Sequence, residues 1–300
     1  MRRPPVAPGE LPAGVRHGRR WRSTRRPSPR PTHMAVIGLA LLVATVAVSC
    51  ARSAPRTLRV LATTDIVGWL TGTVAGPSAQ VTVVVPAGAD PRTFTGDAEL
   101  ARQLDNADLV IAVGGGFERG LQPALHAARR TGTEVLFLLE DLAPEPYGRT
   151  PAYEPGPAPT GPDAPEIGAP DPSFWMDPDR AAQAARSIAA ALDVRSPELA
   201  VLTAVNVDRL EHDLAAADEA VQGALAPLAG GSTLVTDDPH LGYFANRYGL
   251  SIAAPGEGRQ PTDVVLYAAA LGPPGSGADT LPGLLVVDAR NLATALRPGT

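Results

Sequence analysis

The stretch that decides the fold is LVIAVGGGFERG, residues 109 to 120. Its first five residues are apolar without interruption, which is typical of a strand buried on both faces of a parallel sheet. Three glycines then permit a tight turn, and residues 117–131 are predicted to be helical. No placement of these glycines fits the dinucleotide pattern G-x-G-x-x-G. We therefore interpret the stretch as the strand, turn and helix of an α/β lobe, with the glycines at the edge of a cleft.

The same alternation of strand and helix continues on both sides of this stretch. Because strands that alternate with helices indicate a doubly wound sheet, residues 57–142 are predicted to form an N-terminal α/β lobe. Residues 143–172 are rich in Pro, Gly and acids and are predicted to be a solvated loop. The strands of the lobe are predicted at 58–62, 80–85, 109–113 and 135–139, and its other helices at 66–74 and 97–106.

The second half of the chain opens on PDPSFWMDPDR, residues 170–180. Asp177 followed by Pro178 is a helix start, so residues 173–195 are predicted to return to the first lobe. Ser196-Pro197 repeats this signal before a linking helix within 196–228, about 43 Å long at 1.5 Å per residue. Residues 229–300 are predicted to form a short C-terminal α/β lobe, with strands at 233–236, 251–254 and 283–287 and helices at 242–248, 262–271 and 292–296.

The expected fold is therefore α/β: two lobes with a cleft between them, joined by a long rigid helix. Charge is unevenly placed along this chain. Residues 1–49 hold nine Arg and one acid, and the remaining residues hold 17 Arg against 30 acids, a net charge of −13. A body this acidic argues against nucleic acid as a partner, because binding to phosphates needs positive charge.

The N-terminal segment, residues 1–49, has the features of an export signal. The tract MAVIGLALLVATVAVS (34–49) is apolar and shorter than the about 20 residues of a membrane span, as in a signal peptide. It ends at Cys50, the only cysteine, in a pattern that resembles a bacterial lipobox. Lipidation of Cys50, with 50–56 as tether, would anchor the chain to the outer face of the cytoplasmic membrane. A plain signal peptide or an N-terminal anchor is the alternative, and the start (Met1 or Met34) and the export route (general or twin-Arg) stay open.

A candidate site lies in LVTDDPHLGYFANRYGL, residues 234–250. Asp237, Asp238 and His240 follow a predicted strand, and carboxylate oxygens and imidazole nitrogens are ligands for Zn or Mn. The alternative is that one Asp caps the next helix and that His240 is exposed. The chain has no G-x-S-x-G and no nucleophile–base pair is visible, so we expect no enzyme activity.

Three segments in order resemble the metal-specific substrate-binding proteins of bacterial ABC importers, the zinc and manganese family. They are ADPRTFTGDAELARQLDNADLVIAVGGGFE (89–118), DPSFWMDPDRAAQAARSIAAAL (171–192) and the segment 234–250. The resemblance implies a monomeric two-lobe protein that holds a zinc or manganese ion in its cleft and works beside an ABC permease. It also implies that Phe174 and Trp175 pack at the base of the cleft.

The ligand positions that the resemblance implies are mostly changed. Arg92 and Ser173 stand where the family carries His, and Asp238 stands where a His or a carboxylate occurs. The fourth ligand, an Asp, is expected beyond Thr300. Since a guanidinium has no lone pair to give a metal, Arg92 is predicted to replace the cation and to pair across the cleft with Asp237 or Asp238.

Two alternatives to this substitution stay open. In the first, the cleft retains a weak metal site built from Asp237, Asp238 and His240. In the second, the chain is a metal-free relative that binds another solute, such as an anion at Arg92, or a protein partner.

Overall fold

The computed structural model describes most of the chain after the export segment, within a compact unit that spans Ala54–Thr300. None of the helices in this described part is long and apolar enough to cross a membrane. The signal segment (1–49), Cys50 and the tether lie outside the described residues. The described ranges are 57–86, 88–153, 157–161, 164–228, 232–256 and 258–297.

The first half of this unit is built on a four-stranded parallel sheet, which confirms the predicted α/β lobe. The strands stand in the order β2 (Ala79–Val83), β1 (Leu58–Ala62), β3 (Leu109–Ala112) and β4 (Val135–Phe137). All four residues of β3 are buried, as their unbroken apolar character predicts. The helix predicted at 117–131 begins only at Gln122, because residues 114–121 form the turn. The elements are β1 (Leu58–Ala62), α1 (Asp65–Ala75), β2 (Ala79–Val83), α2 (Ala98–Asn106), β3 (Leu109–Ala112), α3 (Gln122–Thr131), β4 (Val135–Phe137) and the single turn α4 (Leu138–Asp141).

A buried carboxylate, that of Glu118, fastens the glycine turn to the carboxyl edge of the sheet. Its Oε1 accepts hydrogen bonds from Thr63 Oγ1 at 2.6 Å and from the Val113 backbone N–H at 2.7 Å. Its Oε2 accepts from the Gly114 backbone N–H at 3.0 Å. Burial raises the pKa of Glu118, and these hydrogen bonds oppose the rise. The ends of β1 and β3 are thereby joined beside the cleft.

The Pro-rich loop, residues 143–172, was expected to be solvated; most of its described residues are exposed or half-buried, but some of its side chains are buried. Its described part has one 3-10 turn, Pro151–Tyr153, and a single bridge between Pro146 and Pro170. Tyr147 and Tyr153 are buried and meet edge to face, with their ring centroids 5.5 Å apart. Burying two aromatic rings stabilises the loop through the hydrophobic effect, which a composition rich in Pro and Gly does not indicate.

Two helices follow the loop and confirm the predicted long connection. Asp177 caps α5 (Pro178–Arg195) by accepting a hydrogen bond from the Asp179 backbone N–H at 2.8 Å. A 3-10 turn, Pro197–Leu199, precedes α6 (Ala200–Leu225), whose 26 residues span about 39 Å at 1.5 Å per residue. Helix α6 buries one apolar stripe, as expected for a helix laid across a core.

The last part of the chain differs from the prediction in where its helices lie. Strands β5 (Thr233–Val235) and β6 (Ser251–Ala253) pair in parallel, with α7 (Gly242–Tyr248) between them. The strand predicted at 283–287 is wrong, because these residues belong to α8 (Leu281–Ala295), and the helical turn predicted at 292–296 is the last turn of that helix and not a separate one. Thr280 caps α8 by accepting from the Gly283 backbone N–H at 3.2 Å. The buried residues of α8 recur at helical spacing: Leu281, Leu284, Leu285, Asp288, Ala289, Leu292 and Ala293.

The helix predicted at 262–271 is also wrong, since the structure has no regular element there. Within this segment the Ala270 N–H donates to the Tyr267 carbonyl at 3.3 Å, but other backbone groups bond to distant parts of the fold. The Thr262 N–H donates to the Val235 carbonyl at 2.8 Å, and the Leu271 N–H donates to Asp65 Oδ2 at 2.9 Å. Bonds that reach across the fold satisfy the groups that a helix would have paired internally.

Candidate functional site

A cavity of about 270 Å³ opens beyond the end of β1. One wall comes from the first half of the fold, one from the segment after β5, and one from the irregular segment before α8. This is the cleft that the sequence predicts. Among the residues that line it are Asp65, Asp90, Arg92, Phe117, His240, Ala269 and Ala270.

His240 is held in a fixed orientation in this cavity. It is buried, with 7% of its surface exposed. Its ring stacks on Trp175, with the ring centroids 6.3 Å apart. It also meets the Phe117 ring edge to face, with the centroids 6.2 Å apart. Its Nδ1 lies 2.9 Å from Asp238 Oδ1. Since an ionised carboxylate only accepts, Nδ1 carries the hydrogen, and in the neutral form of the ring Nε2 keeps a lone pair.

Asp238 serves both the ring and the backbone of His240. Its Oδ1 also accepts from the His240 backbone N–H at 2.8 Å, which caps the short turn Pro239–Leu241. Burial opposes ionisation of Asp238, but the hydrogen bond and the charge of His240 outweigh it and lower the pKa of the carboxyl. The capping alternative from the sequence is therefore right about Asp238, whereas its expectation of an exposed His240 is wrong.

Of the three predicted ligands, the structure brings two together. Asp238 and His240 are in contact, whereas Asp237 is exposed. Within the ranges that the structure describes, no group of three or more His, Cys, Asp or Glu side chains is arranged to hold a metal ion. The ligand set of Asp237, Asp238 and His240 stays a prediction.

Arg92 also lines the cavity. Its side chain is 14% exposed and its Nε lies 3.6 Å from Asp90 Oδ1, while its guanidinium sits 5.9 Å from the Phe117 ring centroid. The Arg92 carbonyl accepts from the Gly120 N–H at 2.9 Å, which fixes the loop against the glycine turn. Asp90, on the same loop, therefore brings a carboxylate close to Arg92. The predicted ion pair of Arg92 with Asp237 or Asp238 stays a prediction.

Ser173 is not among the residues that line the cavity. It is 1% exposed, and its backbone N–H donates to Asp171 Oδ1 at 2.9 Å. Burial raises the pKa of Asp171 to about 6, against the hydrogen bonds from Ser173 and the charge of His240. Ser173 therefore shapes a buried polar turn behind His240.

Two adjacent aromatic residues follow this turn and pack beneath His240. Phe174 and Trp175 are buried, and their rings meet edge to face at 5.4 Å. Trp175 Nε1 donates to the Ala268 carbonyl at 2.7 Å, so the same ring carries His240 and holds the third wall. The expectation that both residues pack at the base of the cleft fits Trp175, which contacts His240 and Phe117 of the cavity wall, whereas Phe174 packs against Trp175.

Sequence reasoning missed Asp65, Ala269 and Ala270. Asp65 Oδ1 accepts from the Ile66 N–H at 2.8 Å and its Oδ2 accepts from the Leu271 N–H at 2.9 Å. Burial raises the pKa of Asp65, with these hydrogen bonds opposing. Its place in the first turn of α1 was visible in the sequence, but its partner 206 residues away was not.

Comparison with solved structures defines the class of protein to which this fold belongs. The manganese-bound periplasmic metal binding protein from Candidatus Liberibacter asiaticus superposes with a TM-score of 0.64 at 19% identity, covering 80% of this chain and 100% of that one. The periplasmic zinc binding protein TroA from Treponema pallidum gives 0.63 at 16% identity, covering 81% and 100%. At such identities the likeness shows the fold alone, which is that of periplasmic metal-binding proteins.

Comparison of sequences shows the family. The family model ZnuA, zinc-uptake complex component A, periplasmic, matches residues 60–271. The high-affinity zinc uptake system protein ZnuA of Paracoccus denitrificans is 28% identical over 233 residues, covering 72% of this chain and 70% of that protein. The iron ABC transporter substrate-binding lipoprotein MtsA of Streptococcus pyogenes is 25% identical over 230 residues, covering 73% and 70%. The chain belongs to the ZnuA family, which comprises solute-binding proteins and not enzymes. The resemblance and the expected lack of enzyme activity are thereby confirmed.

Proposed function

We propose that the chain is the extracytoplasmic substrate-binding component of an ABC importer for divalent metal ions, zinc or manganese, with a reduced ligand set. The observation that carries this proposal is His240 in the cleft, with Nδ1 bound to Asp238 and a lone pair on Nε2. A carboxylate that fixes the tautomer and orientation of a ligating His is the usual surrounding of a protein metal site. The names of the relatives ZnuA and TroA, both zinc proteins, support the same ligand class.

The donor set suits a weak site. His240 supplies one nitrogen, and Asp238 or the exposed Asp237 could supply oxygen after a small rearrangement. Zn²⁺ in proteins takes about four ligands, so solvent or solute would complete its coordination. Arg92 adds a positive charge to the cavity wall, which Asp90 offsets in part at 3.6 Å, and what remains of this charge lowers the affinity for a bare cation.

The partners follow from the family and from the N-terminal sequence. In the proposed importer, this chain acts as a monomer and delivers its ligand to an ABC permease in the membrane. The apolar tract before Cys50 supports export and lipid anchoring to the outer face of the membrane, and MtsA is itself named a lipoprotein.

The test is thermal unfolding of residues 54–300, which contain the whole described core, after removal of metal with a chelator. Zinc or manganese at about 100 times its Kd adds about 2.7 kcal/mol to the free energy of unfolding. That raises the midpoint by roughly 5–10 °C for a unit of this size. We expect the shift to disappear in His240→Ala and Asp238→Ala and to persist in the control His212→Ala, whose side chain lies exposed on α6.

A second candidate function is favoured by Arg92 in the cavity wall. In that case the chain is a metal-free relative that binds another solute, such as an anion, or a protein partner. Unchanged midpoints with both metals over the whole concentration range would contradict the metal proposal and favour this second candidate.

A further inference from the structure

Apolar residues form most of the walls of the cavity that His240 lines. Besides the ring of Phe117, they include Val85, Pro86, Ala89, Pro91, Ala269 and Ala270. Transfer of an apolar group from water to such walls is favourable, and small-molecule sites are in general lined by apolar side chains with a few polar groups. The walls therefore suit a mainly apolar solute.

The charged side chains on these walls already have partners. Both oxygens of Asp65 accept backbone N–H groups, from Ile66 and Leu271. Asp90 Oδ1 accepts from the Arg92 backbone N–H at 2.8 Å and lies 3.6 Å from Arg92 Nε. A charged organic solute would lose its hydration here without gaining a free opposite charge, which costs free energy. The walls thus favour a neutral solute.

One ring nitrogen on the walls remains for a solute to bind, and it is Nε2 of His240. Within the described residues, the hydrogen bond of this ring is that of Nδ1 to Asp238. With the hydrogen on Nδ1, Nε2 of the neutral ring is an acceptor. The aromatic contacts of the ring keep this acceptor in one orientation. The other uncharged polar side chain, that of Thr64, caps α1 by accepting from the Val67 N–H at 3.3 Å.

The volume of the cavity limits the size of such a solute. An apolar cavity of about 150 Å³ holds one benzene molecule, and this cavity measures about 270 Å³. In the same proportion it holds roughly ten non-hydrogen atoms, which is the size of one substituted ring. Ala269 and Ala270 leave this space open, because their side chains are single methyl groups.

From these observations we propose that the cavity binds a small neutral molecule, mainly apolar, whose N–H or O–H group donates a hydrogen bond to His240 Nε2. Burial of the apolar part supplies most of the affinity, and the hydrogen bond orients the solute. Asp238 is a positioning residue that holds the imidazole. This inference goes beyond the proposed function and does not depend on it, because it needs the lone pair of His240 and no bound metal.

The test compares phenol with anisole as probes for metal-stripped residues 54–300. Both probes present the same ring, but phenol carries an O–H donor where anisole has a methyl ether. Titration calorimetry gives the two affinities, and nitrogen NMR follows the imidazole rings. Only three His occur in these residues, at 126, 212 and 240. We expect phenol to bind about 2 to 10 times more tightly than anisole, the factor that one neutral hydrogen bond provides, and to shift the Nε2 signal of His240 alone.

Substitutions locate the solute within the cavity. His240→Phe keeps a ring of similar size but removes the acceptor, so phenol and anisole should bind with equal affinity. The same variant assigns the NMR signal of His240. Ala269→Leu combined with Ala270→Leu fills the cavity and should prevent binding of both probes. The control Ala215→Leu, at an exposed position of α6, should leave both affinities unchanged.

Zinc chloride, added to the same protein, separates this inference from the proposed function. Zinc binding without phenol binding would overturn the inference and keep the metal proposal. Phenol binding without zinc binding would keep the inference and contradict the metal proposal. Where both bind, they use the same lone pair, so saturating phenol should weaken zinc binding, and independent binding of the two would overturn the inference.

Two results with the unaltered chain would also overturn the inference, whether or not the variants fold. The first is equal affinity for phenol and anisole, because the donor would then contribute nothing. The second is phenol binding that leaves the Nε2 signal of His240 unchanged, because the solute would then lie elsewhere.

Discussion

Replacement of Arg247 by Met should lower the free energy of unfolding, because Arg247 joins the helices α5, α6 and α7. Arg247 lies in α7 and grips Asp218 of α6 with two hydrogen bonds, Nε to Oδ1 at 2.9 Å and Nη2 to Oδ2 at 3.0 Å. Its Nη1 also donates to Asp177 Oδ1 at 3.0 Å and to Asp179 Oδ2 at 2.7 Å, at the start of α5. One guanidinium thus ties three helices together.

The expected loss follows from the exposure of the partners. The side chains of Arg247, Asp218 and Asp177 are 21%, 17% and 14% exposed, whereas Asp179 is 81% exposed. Breaking a fully buried pair costs about 3–5 kcal/mol, and exposed pairs are worth about 0–1 kcal/mol. Between these limits we expect Arg247→Met to cost about 2 kcal/mol, which lowers the unfolding midpoint by roughly 4–8 °C.

The assay is thermal unfolding of residues 54–300 against a matched control. Arg186 forms a pair with Glu211 at 2.7 Å between the neighbouring helices α5 and α6, but these side chains are 58% and 32% exposed. Arg186→Met should therefore cost at most about 1 kcal/mol. Equal losses in Arg247→Met and Arg186→Met would refute the reasoning that partial burial makes this network strong.

The effect should also depend on pH in a defined direction. The hydrogen bonds from Arg247 lower the pKa of Asp218 below 3.8, against the opposing effect of burial. A carboxyl with a lowered folded pKa contributes stability above its unfolded pKa and loses it as the pH falls further. The difference between the wild type and Arg247→Met should be constant near neutrality and should shrink below about pH 4.

Further substitutions, at one buried acid and at two glycines, are tested by thermal unfolding. Burial raises the pKa of Asp288 to about 7, although its Oδ1 accepts from the Tyr267 N–H. The folded chain therefore keeps a proton that the unfolded chain releases. As the pH rises from about 4 to about 7, the free energy of unfolding should therefore fall. Asp288→Asn should flatten that slope, and an unchanged slope would contradict the assignment. A Cβ at Gly120 would clash with the Phe94 carbonyl oxygen, so Gly120→Ala should cost about 1–3 kcal/mol. Gly223→Ala, in α6 with open space around it, should instead stabilise the fold by about 0.5–1 kcal/mol, and equal effects of the two would refute the steric argument.

The sequence by itself determined the parts of this protein whose signals are local. An unbroken apolar run defined β3 (Leu109–Ala112), and the Asp-Pro step at Asp177 defined the start of α5. The motifs around Phe174 and His240 were enough to find the family and the base of the cleft. Burial periodicity, caps and tight turns depend on neighbours within a few residues, so a single sequence carries them.

The tertiary structure alone decided the features that depend on distant partners. The apolar run within α8 (Leu281–Ala295) is compatible with strand or helix, and only packing against the core selected the helix. The wall at Ala269 and Ala270 stays irregular because Asp65 and Trp175, far away in sequence, take its backbone hydrogen bonds. The orientation of His240 likewise comes from rings that other segments bring to it. These contacts form only when the chain is folded, because a hydrogen bond or ring contact across the fold leaves no periodic trace in the sequence.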